Sequence, residues 1–255
     1  MPNTTQTDIA RLSLQCLDLT SLNDGDTAAD MDALCARAQT RFGPVAAVCV
    51  WPRFVTQVRK QLPASIRVAA VSNFPAGALD VALALADVRT IVQSGGDEVD
   101  VVLPYRAQMD GQAVKCADFL AQVRAASPAL TLKVIIESGE LSTRDWIAQA
   151  TRLALAGGAD FVKTSTGKTP VSATVDAATV MLQEIAASGL PQAGFKASGG
   201  IRTVQDAKVY LDLVASLLGE AALTPQRFRL GASGLLKDIE AVLGCQPVAP
   251  TSATY

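Results

Sequence analysis

Short apolar and β-branched runs recur along this chain at regular intervals, and they restrict its fold more than any other feature. Seven such runs begin at Val45, Ile66, Glu98, Leu130, Asp160, Ala193 and Arg227. Their starts lie roughly 20 to 35 residues apart, which is the length of a strand, a helix and the return to the next strand. The spacing predicts parallel strands joined by crossover helices.

Helical periodicity fills the segments between the runs. Over residues 78–95 we expect one buried face, formed by Leu79, Ala82, Leu83, Ala86 and Val92. Over residues 204–218 the same pattern is carried by Val204, Ala207, Val214 and Leu218. Hydrophobic residues make up 49% of the chain and charged residues 18%, a composition that suits a buried sheet wrapped in helices.

Eight strands are needed to close a parallel barrel, and the segment LDLTSL from Leu17 is the candidate for the eighth, after a short helix over 7–15. We therefore predict an α/β fold, a (β/α)8 TIM barrel in a single domain over residues 1–244, with a flexible C-terminal tail over 245–255. An open doubly wound sheet would show the same alternation, so the barrel depends also on the site residues below.

The chain contains no histidine, which excludes nucleophile systems built on Ser-His-Asp or Cys-His arrangements. Catalytic zinc usually takes at least one imidazole, so a zinc site is not expected. The TGKT segment at 166–169 lacks the first glycine of a nucleotide-binding P-loop, since Val162 stands there. No GxGxxG segment follows a predicted strand, so a dinucleotide has no support.

Charge and hydropathy argue against two classes of partner. A net charge of -2 without a long basic run predicts no nucleic-acid binding, and no apolar run approaches the roughly 18 residues of a membrane span. The N-terminal segment shows no basic start followed by an apolar stretch, so we expect a cytoplasmic location. The five cysteines are scattered without a CxxC pair and are expected to be buried thiols.

Three lysines lie inside predicted strands, where a charged side chain is costly unless it is paired or neutral. They are Lys133, Lys163 and Lys196, and Asp100 lies in the equally apolar run EVDVVLP. Any one of these lysines taken alone fits an ordinary ion-pair partner. Three on successive strands, with alternate residues pointing inward, indicate that amines and carboxylate meet at the C-terminal mouth of a barrel.

Two ammonium groups held close together and partly removed from water lower the pKa of one of them. A lysine that is neutral at pH 7 is a nucleophile for carbonyl carbons, and its protonated imine is an electron sink for breaking a C–C bond. The lysines therefore indicate Schiff-base chemistry. Lys133 also fits a charge paired to an acid such as Asp100, or a structural residue.

Glycine pairs end the last two predicted strands, in SGGIRT at 198–203 and GASG at 231–234. Helices are expected to begin at Thr203 and Leu235, and the exposed N–H groups of a helix start favour an anion. Barrel enzymes commonly bind phosphate after the seventh and eighth strands. A tight turn also needs glycine, but beside the lysines the pairs indicate a phosphorylated small carbonyl compound.

Eight segments follow one another in the order and spacing of a known enzyme family. They are LDLTSLND, CVWPRF, VSNFPAG, DEVDVVLPYR, KVIIESGEL, GADFVKTSTGK, GFKASGGIRT and RFRLGAS. On these segments the chain resembles the deoxyribose-phosphate aldolases, a class I, Schiff-base family. The resemblance implies a cytoplasmic, homodimeric lyase of deoxyribonucleotide catabolism that reversibly cleaves 2-deoxy-D-ribose 5-phosphate to acetaldehyde and D-glyceraldehyde 3-phosphate, without a cofactor.

Carried over position by position, the resemblance implies that Lys163 forms the imine, that Lys196 lowers its pKa and that Asp100 assists proton transfer. The substrate-binding residues that we expect are Asp18, Cys49, Lys133, Thr166, Gly167, Lys168, Gly199, Gly200, Ser233, Gly234 and Tyr255. Tyr255 is implied to assist proton exchange at the imine carbon, although a terminal tyrosine is also an ordinary chain end. Gly234 stands where many members carry a second serine, which removes one hydroxyl donor to phosphate.

Two other functions fit the same residues. One is a Schiff-base barrel aldolase for another sugar phosphate or a keto acid, which only the carbonyl donor would distinguish. The other is a phosphosugar-binding barrel without chemistry, in which Lys163→Arg would leave binding intact. A pure phosphate binder has no reason to bury three amines away from the phosphate loops, which argues against the second.

Overall fold

A computed structural model of the protein describes residues 4–245. Its strands are β1 (Leu17–Thr20), β2 (Gln39–Thr40), β3 (Gly43–Pro44), β4 (Ala47–Val50), β5 (Arg67–Ser72), β6 (Glu98–Val102), β7 (Thr131–Ile135), β8 (Phe161–Lys163), β9 (Gly194–Ser198) and β10 (Phe228–Ala232). Its α-helices are α1 (Gln6–Gln15), α2 (Ala28–Arg37), α3 (Val55–Gln61), α4 (Val81–Gln93), α5 (Tyr105–Met109), α6 (Ala113–Ala126), α7 (Arg144–Ala156), α8 (Val175–Ala187), α9 (Val204–Leu218) and α10 (Leu235–Gly244). Short 3₁₀ turns cover Pro52–Phe54 and Glu220–Ala222.

Eight of these strands close into a parallel barrel in the order β1, β4, β5, β6, β7, β8, β9, β10 and back to β1. This confirms the (β/α)8 prediction, including the strand at Leu17, and excludes the open doubly wound sheet. The remaining strands, β2 and β3, form a separate antiparallel hairpin that the sequence did not predict, because two residues per strand leave no periodicity to detect.

Polar caps set where most of the helices begin. A side-chain oxygen accepts a hydrogen bond from the first turn of α1, α2, α4, α7, α8 and α9, at Thr5, Thr27, Asp80, Thr143, Thr174 and Thr203. At α9, Thr203 and Asp206 cap each other reciprocally, and α10 begins at Leu235, so both predicted helix starts after the glycine pairs are confirmed.

The two faces of the barrel strands differ in character. Residues such as Val48, Val99 and Val134 are fully buried in the apolar layer between the barrel and its helices. The residues that alternate with them include Asp100 and Lys133, which are also fully buried. The barrel interior is therefore charged, and its outer wall is apolar.

The predicted buried face of α4 is wrong. The helix buries Ala84, Val88 and Ile91, whereas Leu83 is 50% exposed and Val92 is 42% exposed. The segment VALALADV is apolar on nearly every side, so the apolar positions alone do not identify the stripe that packs on the sheet. In α9 the prediction is confirmed for Val204, Ala207 and Val214, with Leu218 packed against the core at its end.

Four of the five cysteines, Cys16, Cys35, Cys49 and Cys116, are buried free thiols, and the prediction is wrong for Cys245, which is exposed. That residue follows the end of α10, where no further element within the described residues covers it. Apart from Cys245, the predicted tail lies outside the described residues. Within residues 4–245, no helix has the length and apolarity to cross a membrane.

Candidate active site

The register of the strands brings the charged interior residues together. Lys163 on β8 stands opposite Lys196 on β9, and Asp100 on β6 stands opposite Lys133 on β7. Because alternate residues of a barrel strand point inward, these side chains converge inside the barrel. Three amines and a carboxylate thus share one buried space.

Lys163 is almost completely buried, at 1% exposure, and its Nζ lies 2.8 Å from Asp100 Oδ2. Burial lowers the pKa of this lysine, and the Lys196 ammonium lowers it further against the opposing attraction of Asp100. Within residues 4–245, Asp100 is the one carboxylate at ion-pair distance from Lys163. Lys163 is therefore the interior lysine most readily held as a neutral amine.

Lys196 is held by two carboxylates. Its Nζ lies 2.8 Å from Asp100 Oδ2 and also donates to Asp18. Burial acts to lower the pKa of Lys196, but the two carboxylates outweigh burial and raise it. Lys196 is consequently a lasting positive charge beside Lys163.

Both carboxylates stay ionised for the same reason. Burial acts to raise the pKa of Asp18 and of Asp100, yet the surrounding cations hold both below the ordinary carboxyl range. Lys196 contributes most at Asp18, and Lys133 contributes most at Asp100. Asp100 is thus available as a proton acceptor beside Lys163.

Lys133 lies one interior layer nearer the N-terminal end of the barrel than Lys163, because the strand partner of Lys163 is Ile135. Its ammonium lies 2.8 Å from Asp100 Oδ1 and 3.5 Å from Asp18 Oδ2, and it also donates to Glu98. Burial opposes this charge, but the three carboxylates raise the pKa of Lys133 above its ordinary value. Lys133 is a fully compensated cation inside the barrel.

Glu98 and Arg229 complete the charged interior. Arg229 Nη2 lies 2.8 Å from Glu98 Oε1, and Arg229 Nη1 lies 2.6 Å from Asp18 Oδ1. Arg229 was not predicted from the sequence, although a charge between the apolar residues Phe228 and Leu230 is the same signal that singled out the lysines. The arginine was missed because two arginines in RFRL resemble the exposed face of a strand.

We define the interior cluster as these seven residues. Its bases are Lys133, Lys163, Lys196 and Arg229, and its acids are Asp18, Glu98 and Asp100. Buried charges are costly unless they are compensated, so four bases and three acids are balanced when one base is neutral. Lys163 has the fewest carboxylate partners and a lowered pKa, which makes it that base.

Cys49 lies beside the interior cluster, with its Sγ 4.0 Å from Asp100 Oδ2. Burial, together with the Asp100 carboxylate, raises the pKa of the thiol to about 11, so it is protonated at neutral pH and a poor nucleophile. It packs with Leu22, Ala69 and Val71 in a small apolar group separate from the main core. An apolar wall therefore stands next to the amines.

A cavity of about 530 Å³ opens at the C-terminal mouth of the barrel, and we call it the mouth cavity. Its lining includes seven of the expected substrate-binding residues: Thr166, Gly167, Lys168, Gly199, Gly200, Ser233 and Gly234. Residues not singled out beforehand also line it, among them Thr20, Ser21, Asn23 and Arg202. Among these described lining residues there are two cations and no carboxylate, which suits an anionic ligand.

Glycine is required in the wall of the mouth cavity. Gly199 and Gly200 have φ values of 87° and 80°, in the left-handed region that side chains rarely adopt. A Cβ on Gly199 would lie 2.5 Å from the Ser172 side chain, whereas a Cβ on Gly200 would meet open space. Both precede α9, whose dipole favours an anion, although the N–H groups of Arg202, Thr203 and Val204 already donate to the Asp206 and Asp238 carboxylates.

The predicted substrate-binding residue Tyr255 lies outside residues 4–245, which the structure describes. Within that range, no group of three or more His, Cys, Asp or Glu side chains is positioned to hold a metal ion.

The arrangement joins two chemical capacities. The interior cluster offers an amine with a lowered pKa beside an ionised carboxylate, which is what nucleophilic attack on a carbonyl and subsequent proton transfer require. The mouth cavity offers a cationic, amide-rich anion site next to it. A small carbonyl compound with a phosphate group fits both at once.

Comparison with known proteins gives consistent matches. Residues 12–236 match the model of the family described as DeoC/LacD family aldolase. The deoxyribose-phosphate aldolase of Agrobacterium fabrum (strain C58) is 46% identical over 251 residues, spanning 97% of this chain and 96% of the relative. Among solved structures, a protein of Coccidioides immitis provisionally assigned that activity is 29% identical, with a TM-score of 0.80 over 92% of this chain and 86% of its own. A protein of Toxoplasma gondii ME49 with the same provisional assignment is 25% identical, with a TM-score of 0.86 over 94% and 98%.

Proposed function

The chain belongs to the DeoC/LacD family of aldolases, and we propose that Lys163 is the lysine with which it cleaves 2-deoxy-D-ribose 5-phosphate. The enzyme is a carbon-carbon lyase, and the products are acetaldehyde and D-glyceraldehyde 3-phosphate, formed reversibly. The observation that carries the assignment of Lys163 is its buried amine, with a lowered pKa, 2.8 Å from the Asp100 carboxylate.

The reaction proceeds through an imine. The neutral Lys163 amine attacks C1 of the open-chain sugar phosphate, and loss of water from the carbinolamine gives the protonated imine. Removal of the C3 hydroxyl proton then breaks the C2–C3 bond. Its electron pair passes into the imine as an enamine, and C3 leaves as the carbonyl carbon of glyceraldehyde 3-phosphate. Protonation of the enamine at C2 and hydrolysis release acetaldehyde and restore Lys163.

The neighbours of Lys163 have separate tasks. Asp100 assists the proton transfers, since its Oδ2 lies 2.8 Å from the reacting amine. Lys196 keeps the pKa of Lys163 low, and Asp18 holds Lys196 in place. Lys133 is paired with three carboxylates, so its task is to hold Asp100.

The mouth cavity binds the phosphate group. The amide groups at Gly167 and Gly200 and the Lys168 side chain supply donors and positive charge, while the Gly199 N–H donates to the Gly231 carbonyl oxygen at 3.4 Å. Ser233 adds a hydroxyl, and Gly234 lets the phosphate approach the start of α10. Cys49 lines the donor side, where its apolar neighbours suit the methyl carbon of acetaldehyde.

Further proposals concern Tyr255, the cellular location, the oligomeric state and the domain organisation of the enzyme. Tyr255 assists proton exchange at C2, which Tyr255→Phe tests by solvent deuterium exchange into acetaldehyde. The enzyme acts in the cytoplasm, in deoxyribonucleotide catabolism, and the four buried thiols fit a reducing compartment. It acts as a homodimer, which light scattering tests, and as a single barrel domain over residues 1–244 with a C-terminal tail.

Trapping of the imine tests the mechanism. The protein is incubated with acetaldehyde, reduced with borohydride and analysed by peptide mass spectrometry. We expect an ethyl group on Lys163, absent in Lys163→Arg and retained in the matched surface variant Lys115→Arg. A protein unmodified at Lys163, under conditions that label an authentic Schiff-base aldolase, would exclude the mechanism and favour a binding barrel without chemistry.

The carbonyl donor separates the proposed reaction from an aldolase of the same mechanism with another substrate. Acetaldehyde requires a small apolar donor pocket, as the group around Cys49 provides. Comparison of acetaldehyde with pyruvate as donor, with glyceraldehyde 3-phosphate as acceptor, tests this. Faster carbon-carbon bond formation with pyruvate would assign the protein to a keto-acid reaction.

A further inference from the structure

We propose that Glu137 is a positioning residue that fixes the phosphate-binding turn of this enzyme at residues 166–168. The inference rests on the proposed function and adds to it a residue outside the interior cluster. Glu137 follows β7 by two positions, at the C-terminal mouth of the barrel, and is fully buried. Burial of a carboxyl group is costly unless it is hydrogen-bonded, so its partners indicate its role.

The partners of the Glu137 carboxylate all lie in the loop that follows β8. The Thr166 hydroxyl donates to Oε2 at 2.5 Å, and the Thr166 N–H donates to Oε1 at 3.2 Å. The Thr169 hydroxyl lies 3.3 Å from Oε1 and shares its one proton with a closer acceptor, the Val171 carbonyl oxygen at 3.0 Å. Within residues 4–245, these two threonines account for every hydrogen bond found for this carboxylate.

The direction of the hydrogen bond from Thr166 leaves an acceptor free. The Thr166 hydroxyl donates its proton to Glu137, so the lone pairs of Thr166 Oγ1 are available to another donor. The Lys168 N–H uses that acceptor, at 3.0 Å from Thr166 Oγ1. A relay from Glu137 through Thr166 to Lys168 therefore fixes the backbone of the turn.

The backbone around Glu137 is pressed against the same loop. Glu137 has a φ of 52°, which is uncommon for a residue with a side chain and persists only where the surroundings hold it. The Ser138 N–H donates to the backbone carbonyl oxygen of Thr164 at 2.8 Å. Two residues after Glu137, a Cβ on Gly139 would collide with the backbone oxygen of Val171. The turn after β7 thus packs closely against the loop after β8 and restrains its conformation.

The position of Glu137 separates it from the chemistry and connects it to phosphate binding. Thr166, Gly167 and Lys168 line the mouth cavity, whereas Glu137 stands behind them and is not part of the lining. The ion-pair partner of Lys163 is Asp100. Glu137 therefore acts on the phosphate indirectly, by holding the donors of the turn in position.

Kinetics on two substrates test the proposal. In Glu137→Gln, the side-chain amide cannot accept at both positions, so one donor of Thr166 loses its partner. We expect KM for 2-deoxyribose 5-phosphate to rise about tenfold, because displaced donors weaken phosphate binding. We expect kcat/KM for unphosphorylated 2-deoxyribose, and borohydride trapping of acetaldehyde on Lys163, to stay within about twofold of the unsubstituted protein. Glu140→Gln, at a half-buried position of the same turn, is the matched control.

The outcomes separate this proposal from the proposed function. Absence of a Lys163 adduct in the unsubstituted protein contradicts the function itself. An adduct in that protein, with both substrates impaired equally or neither impaired in Glu137→Gln, overturns the role of Glu137. Should that variant not fold, Thr166→Val breaks the same relay, and an unchanged preference for the phosphorylated substrate then overturns the proposal.

Discussion

At the scale of single residues, the number of carboxylates around each amine distinguishes the three interior lysines. Within the described range, Lys163 has one at ion-pair distance, Lys196 has two and Lys133 has three. All three are almost fully buried, so desolvation disfavours the charge on each, and the carboxylates decide which amine keeps it. The proposal that Lys163 is the nucleophile thus rests on the contacts rather than on burial alone.

Removal of the Lys196 charge is expected to raise the pKa of Lys163. In Lys196→Met, the like charge disappears and Asp100 loses one of its three cationic partners, and both effects favour the protonated Lys163 amine. A lysine is nucleophilic above its pKa, so the rise of kcat/KM with pH should move to higher pH, and activity at pH 7 should fall at least about tenfold.

The pH profile of borohydride trapping checks this shift, with Lys115→Met as a surface control. Trapping in Lys196→Met should require a more alkaline buffer than in the unsubstituted protein. An unchanged pH midpoint would show that burial by itself sets the pKa of Lys163.

At the scale of secondary structure elements, the sequence predicted those with a strong period and missed those without one. The barrel strands carry apolar runs interrupted by Asp100 or a lysine, and both the strands and the meeting of these residues could be inferred. The buried stripe of α4 could not, because the helix is apolar nearly all round. Glu137 escaped notice because its partners, Thr166 and Thr169, lie on another loop, and only the folded chain brings them together.

The two glycines before α9 are expected to respond differently to alanine. Both have positive φ, so each substitution costs about 1 kcal/mol in backbone strain. A Cβ on Gly199 also collides with Ser172, whereas a Cβ on Gly200 does not. Gly199→Ala should therefore lose more stability and also raise KM for the phosphorylated substrate.

Urea unfolding and steady-state kinetics of both variants check this comparison. Equal losses of unfolding free energy would mean that the Ser172 side chain moves away from the new Cβ without loss of stability. Gly189→Ala, with φ of 71° and open space around it at the end of α8, measures the strain contribution away from the site.

A serine at position 234 is expected to improve phosphate binding. Gly234 is the N-cap of α10, with φ of -98° and open space where a Cβ would stand, so a serine side chain fits without strain. The added hydroxyl can donate to phosphate, and KM for the phosphorylated substrate should fall about threefold. Stability should change by only a few tenths of a kcal/mol, since serine and glycine are close in value as N-caps. An unchanged KM, measured in parallel for 2-deoxyribose, would place the phosphate away from this helix start.

At the scale of the whole molecule, the interior cluster joins most of the barrel. Its seven side chains come from six strands, namely β1, β6, β7, β8, β9 and β10. Arg229 also lines a second cavity, of about 510 Å³, on the opposite, N-terminal side, so the cluster extends from there toward the mouth. Loss of one charge therefore changes the ion pairs of residues on several strands of the barrel.

Acid is expected to destabilise the fold through the cluster. The folded-state pKa values of Asp18 and Asp100 lie below their ordinary value of 3.8, so their stabilising contribution is complete above that value and is lost as the pH falls below it. Protonation then leaves the buried cations without compensation. Thermal unfolding should show a Tm that changes little between pH 6 and about pH 4 and declines steeply below about pH 4.

Asp18→Asn provides the comparison for the acid effect. It removes one buried partner of Lys196 and Arg229, which should cost about 3 to 5 kcal/mol at pH 7. Because the variant has already lost this carboxylate, its Tm should depend less on pH in the acid range. An equally steep decline would assign acid sensitivity to surface carboxylates.

The residues proposed for catalysis lie on strands, whereas the residues proposed to bind the phosphate lie on loops. Lys163 and Lys196 are fixed by the sheet, and Gly167, Lys168 and Gly234 belong to connections at the rim. Loops accept replacement more easily than a closed barrel does. Such a division lets evolution or a designer exchange the acceptor aldehyde, including unphosphorylated ones, by altering the rim alone, while the same amine continues to make and break carbon-carbon bonds beneath it.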